Sequence, residues 1–122
     1  MGDSFGRKVD GIMILIIGGR SQGKRAYAVR ELLIAESDIL ENLQDLIRED
    51  LLMDKNPKNR IERILKENPG VCIICDEIGA GIVPLEQSER DYRDLTGEIC
   101  CELAKRAEHV YRVNCGIGQV LK

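Results

Sequence analysis

An α/β fold with a short, mostly parallel sheet between helices is predicted by three observations. Two apolar runs, Ile12–Ile17 and Val71–Cys75, are rich in β-branched residues and read as buried strands. Each is followed by glycine or acidic residues and then by a helical pattern, the order expected of βα units. The first strand also runs straight into Gly18-Gly19-Arg20-Ser21-Gln22-Gly23-Lys24-Arg25, in which Gly18 to Lys24 has the spacing of the phosphate loop GxxxxGK[ST]. Together these predict a P-loop-like three-layer sandwich.

The chemistry of that loop follows from its residue types. Glycines let backbone N–H groups wrap a phosphate, and Lys24 neutralises its charge at the start of a helix. A Lys24-Arg25 pair in a helix's first turn is electrostatically unfavourable unless an anion lies nearby. Arg25 also stands where a Ser or Thr hydroxyl would ligate Mg²⁺, and a guanidinium cannot coordinate a cation. Nucleotide binding through Gly18, Gly19, Arg20, Ser21, Gln22, Gly23, Lys24 and Arg25 is therefore expected, and metal assistance is in question.

The rest of the chain is read in order. Gly23 to about Ala35 carries Ala26, Val29, Leu32 and Leu33 at helical spacing. Ser37-Asp38 reads as an N-cap with Glu41 completing a capping box, and the stripe Leu40, Leu43, Leu46, Ile47, Leu51 predicts a helix running to about Met53. Residues 54–59 form a turn-rich break, and Ile61–Glu67 a short amphipathic helix ended by Asn68-Pro69-Gly70. The second strand ends in Asp76-Glu77, a pattern similar to a Walker B element, so both acids are candidate Mg²⁺ ligands, against the bland reading of a chain reaching solvent. A glycine-bearing loop, Gly79 to Pro84, follows on the same sheet edge. Glu86–Glu108 is the longest helical pattern, with Tyr92, Leu95, Ile99, Leu103 and Ala107 on its buried stripe. Arg93 either reaches a phosphate or pairs with Glu89 or Asp94. His109–Val113 is a third strand, and Gly116-Ile117-Gly118 turns into a short final one, Gln119–Leu121. His109, the one histidine, reads as structural.

Composition narrows the classes. At 122 residues, with 43% hydrophobic and 32% charged residues, the chain suits one globular domain over residues 1–122, residues 1–11 forming a loose N-terminal segment. Net charge is −3, without the basic excess of a nucleic-acid binder, and no apolar run reaches membrane-spanning length. No signal core precedes the first strand, and the opening residues lack the Ser or Thr at Gly6 of a myristoylation signal, so a cytoplasmic location is expected. The five cysteines are an odd number for a disulfide framework. Cys72 and Cys75, three apart on a strand, face opposite ways, and Cys100 and Cys101 diverge on a helix, so all five are read as small apolar core residues rather than a zinc site.

Two blocks resemble a known family. The loop GGRSQGKR after IMILIIG, and the stretch Asp76 to Gly118, resemble the bifunctional adenosylcobinamide kinase/adenosylcobinamide-phosphate guanylyltransferases of cobalamin biosynthesis. The second block carries Glu77, Gly79, Gly81, Ile82, Val83 and Pro84, then Tyr92, Arg93, Asp94 and Gly97, and finally Gly116, in the family's order. The resemblance implies a P-loop α/β protein that uses ATP or GTP with Mg²⁺ to phosphorylate a cobinamide-type corrinoid, and that assembles as a homo-oligomer. It implies Lys24 and Glu77 as catalytic residues and Arg93 near the nucleotide. The departures are equally specific. Arg20 comes one position early, Gln22 replaces a serine and Arg25 the metal-binding hydroxyl, Cys100-Cys101 stands where Asn-Gln is usual, and Cys115 replaces the terminal serine. No histidine precedes His109, so the guanylylated histidine has no counterpart and guanylyl transfer is expected to be absent. Two further readings follow: a catalytically inactive binding or regulatory protein in which Arg25 replaces the metal, and a structural, oligomer-forming domain.

Overall fold

The computed structural model describes residues 12–77 and 86–122. The expected loop Gly79 to Pro84 and the N-terminal segment 1–11 lie outside them. Five strands and four helices follow in the order β1 (Ile14–Gly18), α1 (Lys24–Arg30), β2 (Ile39–Leu40), α2 (Leu43–Leu52), α3 (Pro57–Glu67), β3 (Cys72–Asp76), α4 (Gln87–Arg106), β4 (His109–Asn114) and β5 (Ile117–Val120).

The sheet order is β2-β3-β1-β4-β5, with every pairing parallel except the β4–β5 hairpin. The α/β expectation is thus met, and β1 lies at the centre. The chain moves to one side of β1 for β2 and β3 and to the other for β4. The loop leaving β1 therefore sits where strand order reverses, the place where open parallel sheets bind ligands.

Alternation along the strands supplies two cores. Leu15, Ile73, Cys75 and Val110 face Leu43 and Ile47 of α2, Ile61 and Leu65 of α3, and Ile99 and Leu103 of α4. Ile16, Cys72, Ile74 and Val113 face Ala28 and Tyr27 of α1. Cys72 and Cys75 do point to opposite faces, as their spacing requires.

Several boundaries differ from expectation, each for a local reason. Helix α1 stops at Arg30 rather than near Ala35, because Leu33 turns left-handed (φ 57°) and Ile34 N–H returns to Ala28 O at 3.0 Å. This is a left-handed helix ending with leucine where glycine is usual. Leu33 is 78% exposed, so it gains little burial in return for the strained backbone. Leu33→Gly is therefore expected to raise stability by about 1 kcal/mol, read as an increased denaturant midpoint at unchanged slope.

The helix expected from Ser37-Asp38 starts only at Leu43. Glu36–Asp38 forms a single 3₁₀ turn, and Ile39 and Leu40 instead pair with Cys72 and Ile73 as the sheet edge. Glu41 turns to Arg25 rather than capping a helix. Helix α3 begins earlier than expected, at Pro57, where proline occupies the first turn and the Asn56 side chain accepts from Lys58 N–H at 2.9 Å. The cysteine expectation needs correction as well. Cys72 and Cys75 are buried and Cys100 is half-buried, but Cys101 lies on the outer arc of α4 and Cys115 in the β4–β5 turn, both exposed.

Candidate functional site

Register builds the site. Gly18, the last residue of β1, pairs with Asp76, the last of β3, so the glycine loop leaves the sheet beside the first acid of the Asp76-Glu77 pair. The chain then turns through Ser21 (φ 59°) and Gly23 (φ 89°) into α1. A Cβ on Gly23 would come 3.3 Å from Gly116 Cα, so the loop also lies close against the β4–β5 hairpin.

Lys24 occupies the centre of this arrangement. Its Nζ donates to Gly19 O at 2.6 Å and pairs with Asp76 Oδ1 at 2.7 Å, and its side chain is 5% exposed. Asp76 is held in turn by Gln44 of α2, whose Nε2 donates to Asp76 Oδ2 at 3.2 Å and whose Oε1 accepts from Asp76 N–H at 2.9 Å. Gln44 O accepts from Tyr92 Oη at 3.0 Å, and Arg48 lies over the Tyr92 ring, 4.0 Å from its centroid, while forming a two-point pair with Glu89. That guanidinium holds the Glu89 carboxyl below its ordinary range. A continuous set of contacts thus runs from α4 through α2 to the lysine.

A cavity of about 270 Å³ opens above Lys24, lined by Arg20, Ser21, Gln22, Gly23, Arg25, Ala26, Glu41, Asn42, Ile74 and Asp76. Most of the expected loop residues and Asp76 are therefore brought together. Gly18 and Gly19 form its stem. Arg25 is not a lone cation here, since its guanidinium binds Glu36 at 2.7 Å and Glu41 at 3.1 Å. Glu77 is one residue beyond the cavity lining, in a two-point pair with Arg112 of β4 at 2.9 and 3.0 Å. Arg93 is half-buried on α4 and does not line the cavity, and Glu89, one of its two expected partners, is taken by Arg48. His109 is exposed at the start of β4, beside the Tyr111 ring.

Five contributions have no signature in the sequence. Gln44 stands between leucines on a helical stripe, and a buried amide there was the one available signal. Arg112, Glu36 and Glu41 enter by tertiary pairing that no local spacing announces. The fifth is the tie between loop and hairpin. Gln22 Oε1 accepts from Cys115 N–H at 2.7 Å, and Gln22 O accepts from Gly116 N–H at 2.8 Å. Gln22→Ala is expected to raise the hydrogen-exchange rate of the Cys115 amide at least tenfold while reducing global stability by only about 1 kcal/mol. Unchanged exchange at Cys115 would show that the side-chain bond contributes nothing.

Residues 29–121 match the family described as cobinamide kinase / cobinamide phosphate guanyltransferase, CobU. The chain belongs to the CobU family. Two curated relatives, the bifunctional adenosylcobalamin biosynthesis proteins CobU of Escherichia coli strain K12 and of Salmonella typhimurium, are each 38% identical to it over 52 residues. That stretch is 43% of this chain but only 29% of each relative. The family match begins after the glycine loop, so the loop's assignment rests on its own geometry. No helix among the described residues is long and apolar enough to cross a membrane.

Proposed function

We propose that the loop from Gly18 to Arg25 binds the phosphates of a nucleoside triphosphate, ATP or GTP, and that the chain serves the kinase step of cobalamin biosynthesis on a cobinamide-type corrinoid. The observation that carries this reading is Lys24, buried at the foot of the loop cavity and held by Gly19 O and Asp76. A buried ammonium facing a glycine turn at a helix start is arranged for an oxyanion. On binding, Lys24 would give its charge to the phosphate while loop amides donate to the same oxygens.

Asp76 has the chemistry to hold Mg²⁺, since its carboxylate lines the cavity and is 20% exposed. Position 25 does not, and Glu77 lies outside the lining, so the protein's share of a metal shell would rest on Asp76, with Glu77 acting through water. When bound, Mg²⁺ supplies neutralisation of phosphate charge. Guanylyl transfer through a histidine is not part of the proposal. His109 pairs in register with Ile14, at the opposite end of β1 from Gly18, about 13 Å away along the strand.

A second reading, a catalytically inactive nucleotide-binding protein, is favoured by Arg25, whose charge is already matched by Glu36 and Glu41 where the kinase motif needs a hydroxyl. Calorimetric titration with ATP and GTP, with and without Mg²⁺, beside a cobinamide phosphorylation assay, separates the two. Mg²⁺-dependent binding with turnover supports the kinase, and metal-independent binding without turnover supports the binder. Absence of binding overturns both and leaves the structural, oligomer-forming domain. A homo-oligomer working in the cytoplasm is the assembly proposed for either.

A further inference from the structure

The two edges of the sheet are protected differently. At one edge β2 is only two residues long, Ile39–Leu40, and a strand that short offers little to a further strand. At the other edge β5 continues into Leu121 with no proline and no charged side chain from Ile117 to Leu121, and its pairing with β4 runs without a bulge. Ile117, Val120 and Leu121 are 73, 66 and 49% exposed. Leu121 N–H donates to Val110 O at 2.8 Å, so by alternation Ile117, Gln119 and Leu121 turn their backbone groups to β4 while Gly118 and Val120 turn theirs outward. Among the described residues no strand takes up those outward groups. Side-chain faces alternate as well. Leu121 lies with Leu15 and Val110 on the α4 side of the sheet, and Gly118 faces Tyr27 of α1, whose hydroxyl would stand 2.3 Å from a Cβ at that position.

We propose that the free edge of β5 is a self-association surface whose partner is a second copy of this chain, joined antiparallel about a two-fold axis through Gln119. In that register Gly118 of each copy exchanges two backbone hydrogen bonds with Val120 of the other. The axis generates four such bonds, and every outward N–H and C=O of the strand finds a partner. Side chains match in the same register. On the α4 side Ile117 of one copy lies opposite Leu121 of the other, an apolar pair formed twice, and the two Gln119 amides, each both donor and acceptor, meet at the axis. On the α1 side Val120 lies opposite Gly118, where the missing side chain leaves its place to the Tyr27 ring. Like charges directly opposite repel across a two-fold axis, and an uncharged strand meets its own copy without that cost. Two short strands and their flanking side chains bury less than about 1,200 Å², the class of weak, reversible association. β5 leaves the Cys115-Gly116 turn that holds Gln22, so the interface lies on the same hairpin as the tie to the glycine loop. The proposal rests on the homo-oligomer put forward above, names its surface, and requires nothing of the nucleotide site.

The test follows the full chain by sedimentation velocity and by backbone-amide hydrogen exchange from about 10 µM to about 1 mM, the range in which a weak dimer fills. The expected result is a monomer–dimer equilibrium in which exchange at Gly118 and Val120 slows roughly tenfold as the dimer forms, while Gln119, already bonded to β4, changes little. Val120→Lys, at an exposed edge position, is expected to weaken association at least tenfold and to leave the unfolding midpoint unchanged. A chain that stays monomeric to about 1 mM overturns the proposal. An oligomer in which exchange at Gly118 and Val120 does not depend on concentration also overturns it, and leaves the homo-oligomer standing on another surface. Slow exchange at both amides in the monomer itself means that the chain's own residues cover the edge, and overturns it equally. The unsubstituted protein alone decides this, so a variant that fails to fold leaves the test intact.

Discussion

Replacing Gly18 by alanine is expected to destabilise the fold by about 3 kcal/mol or more, enough to lower the melting temperature by roughly 10 °C or more in a domain of this size. Gly18 has φ 157°, and a Cβ placed there would stand 2.3 Å from Val113 O. The obstacle is backbone of the neighbouring strand, so no side-chain rotation relieves it. Either β4 moves away from β1 or the loop leaves the sheet at a different angle, and both break the central parallel pairing. Gly97, exposed on α4 with nothing within 4 Å of where a Cβ would stand, is the internal control. Gly97→Ala should stabilise by up to about 1 kcal/mol through helix propensity alone. Thermal and denaturant unfolding of both variants checks the pair, and equal effects would refute the steric account of Gly18.

Substitution of Lys24 carries the largest expected effect on binding. Lys24→Ala removes a charge-assisted contact to phosphate of about 1.5–3 kcal/mol, so nucleotide affinity should fall roughly 10- to 100-fold. It also leaves Asp76 with Gln44 as its remaining described side-chain partner, so the empty protein should lose about 1–3 kcal/mol of stability. Asp76→Asn is the informative companion. Lys24 Nζ and Gln44 Nε2 both donate to the Asp76 carboxylate, and an amide has one acceptor oxygen to offer two donors. One bond is lost, a negative charge leaves the cavity, and the lysine is freer to meet an anion. Metal-free ATP should then bind several-fold to about tenfold more tightly than to the unsubstituted protein, while any gain from added Mg²⁺ disappears. Calorimetry reads both changes. Weaker metal-free binding in Asp76→Asn would mean that the pair prepares Lys24 for the phosphate rather than competing with it.

What could be read beforehand follows the range of each interaction. Strands β1 and β3 were legible because fully buried strands are continuous apolar runs, and the glycine loop because its demands are local in sequence. The start of α2 was not legible. Ser37, Asp38 and Glu41 satisfy a capping pattern, but edge pairing of Ile39 and Leu40 with β3 outcompetes it and draws Glu41 towards Arg25. The early end of α1 depends on Leu33 adopting a conformation that leucine seldom takes, which no propensity predicts. At the site, Lys24 and Asp76 were nameable from their motifs, whereas Gln44, Arg112 and the carboxylates on Arg25 arrive from distant segments. Cys101 and Cys115 show the same limit, since residue type alone does not say which arc of a helix or which turn will carry a cysteine.

The tie between Gln22 and the β4–β5 turn spans 93 residues of sequence. During synthesis Gln22 leaves the ribosome 93 residues ahead of Cys115, so its side-chain anchor cannot form until that later residue has also emerged. Chains halted between the two would carry the complete loop motif without its tie to the hairpin.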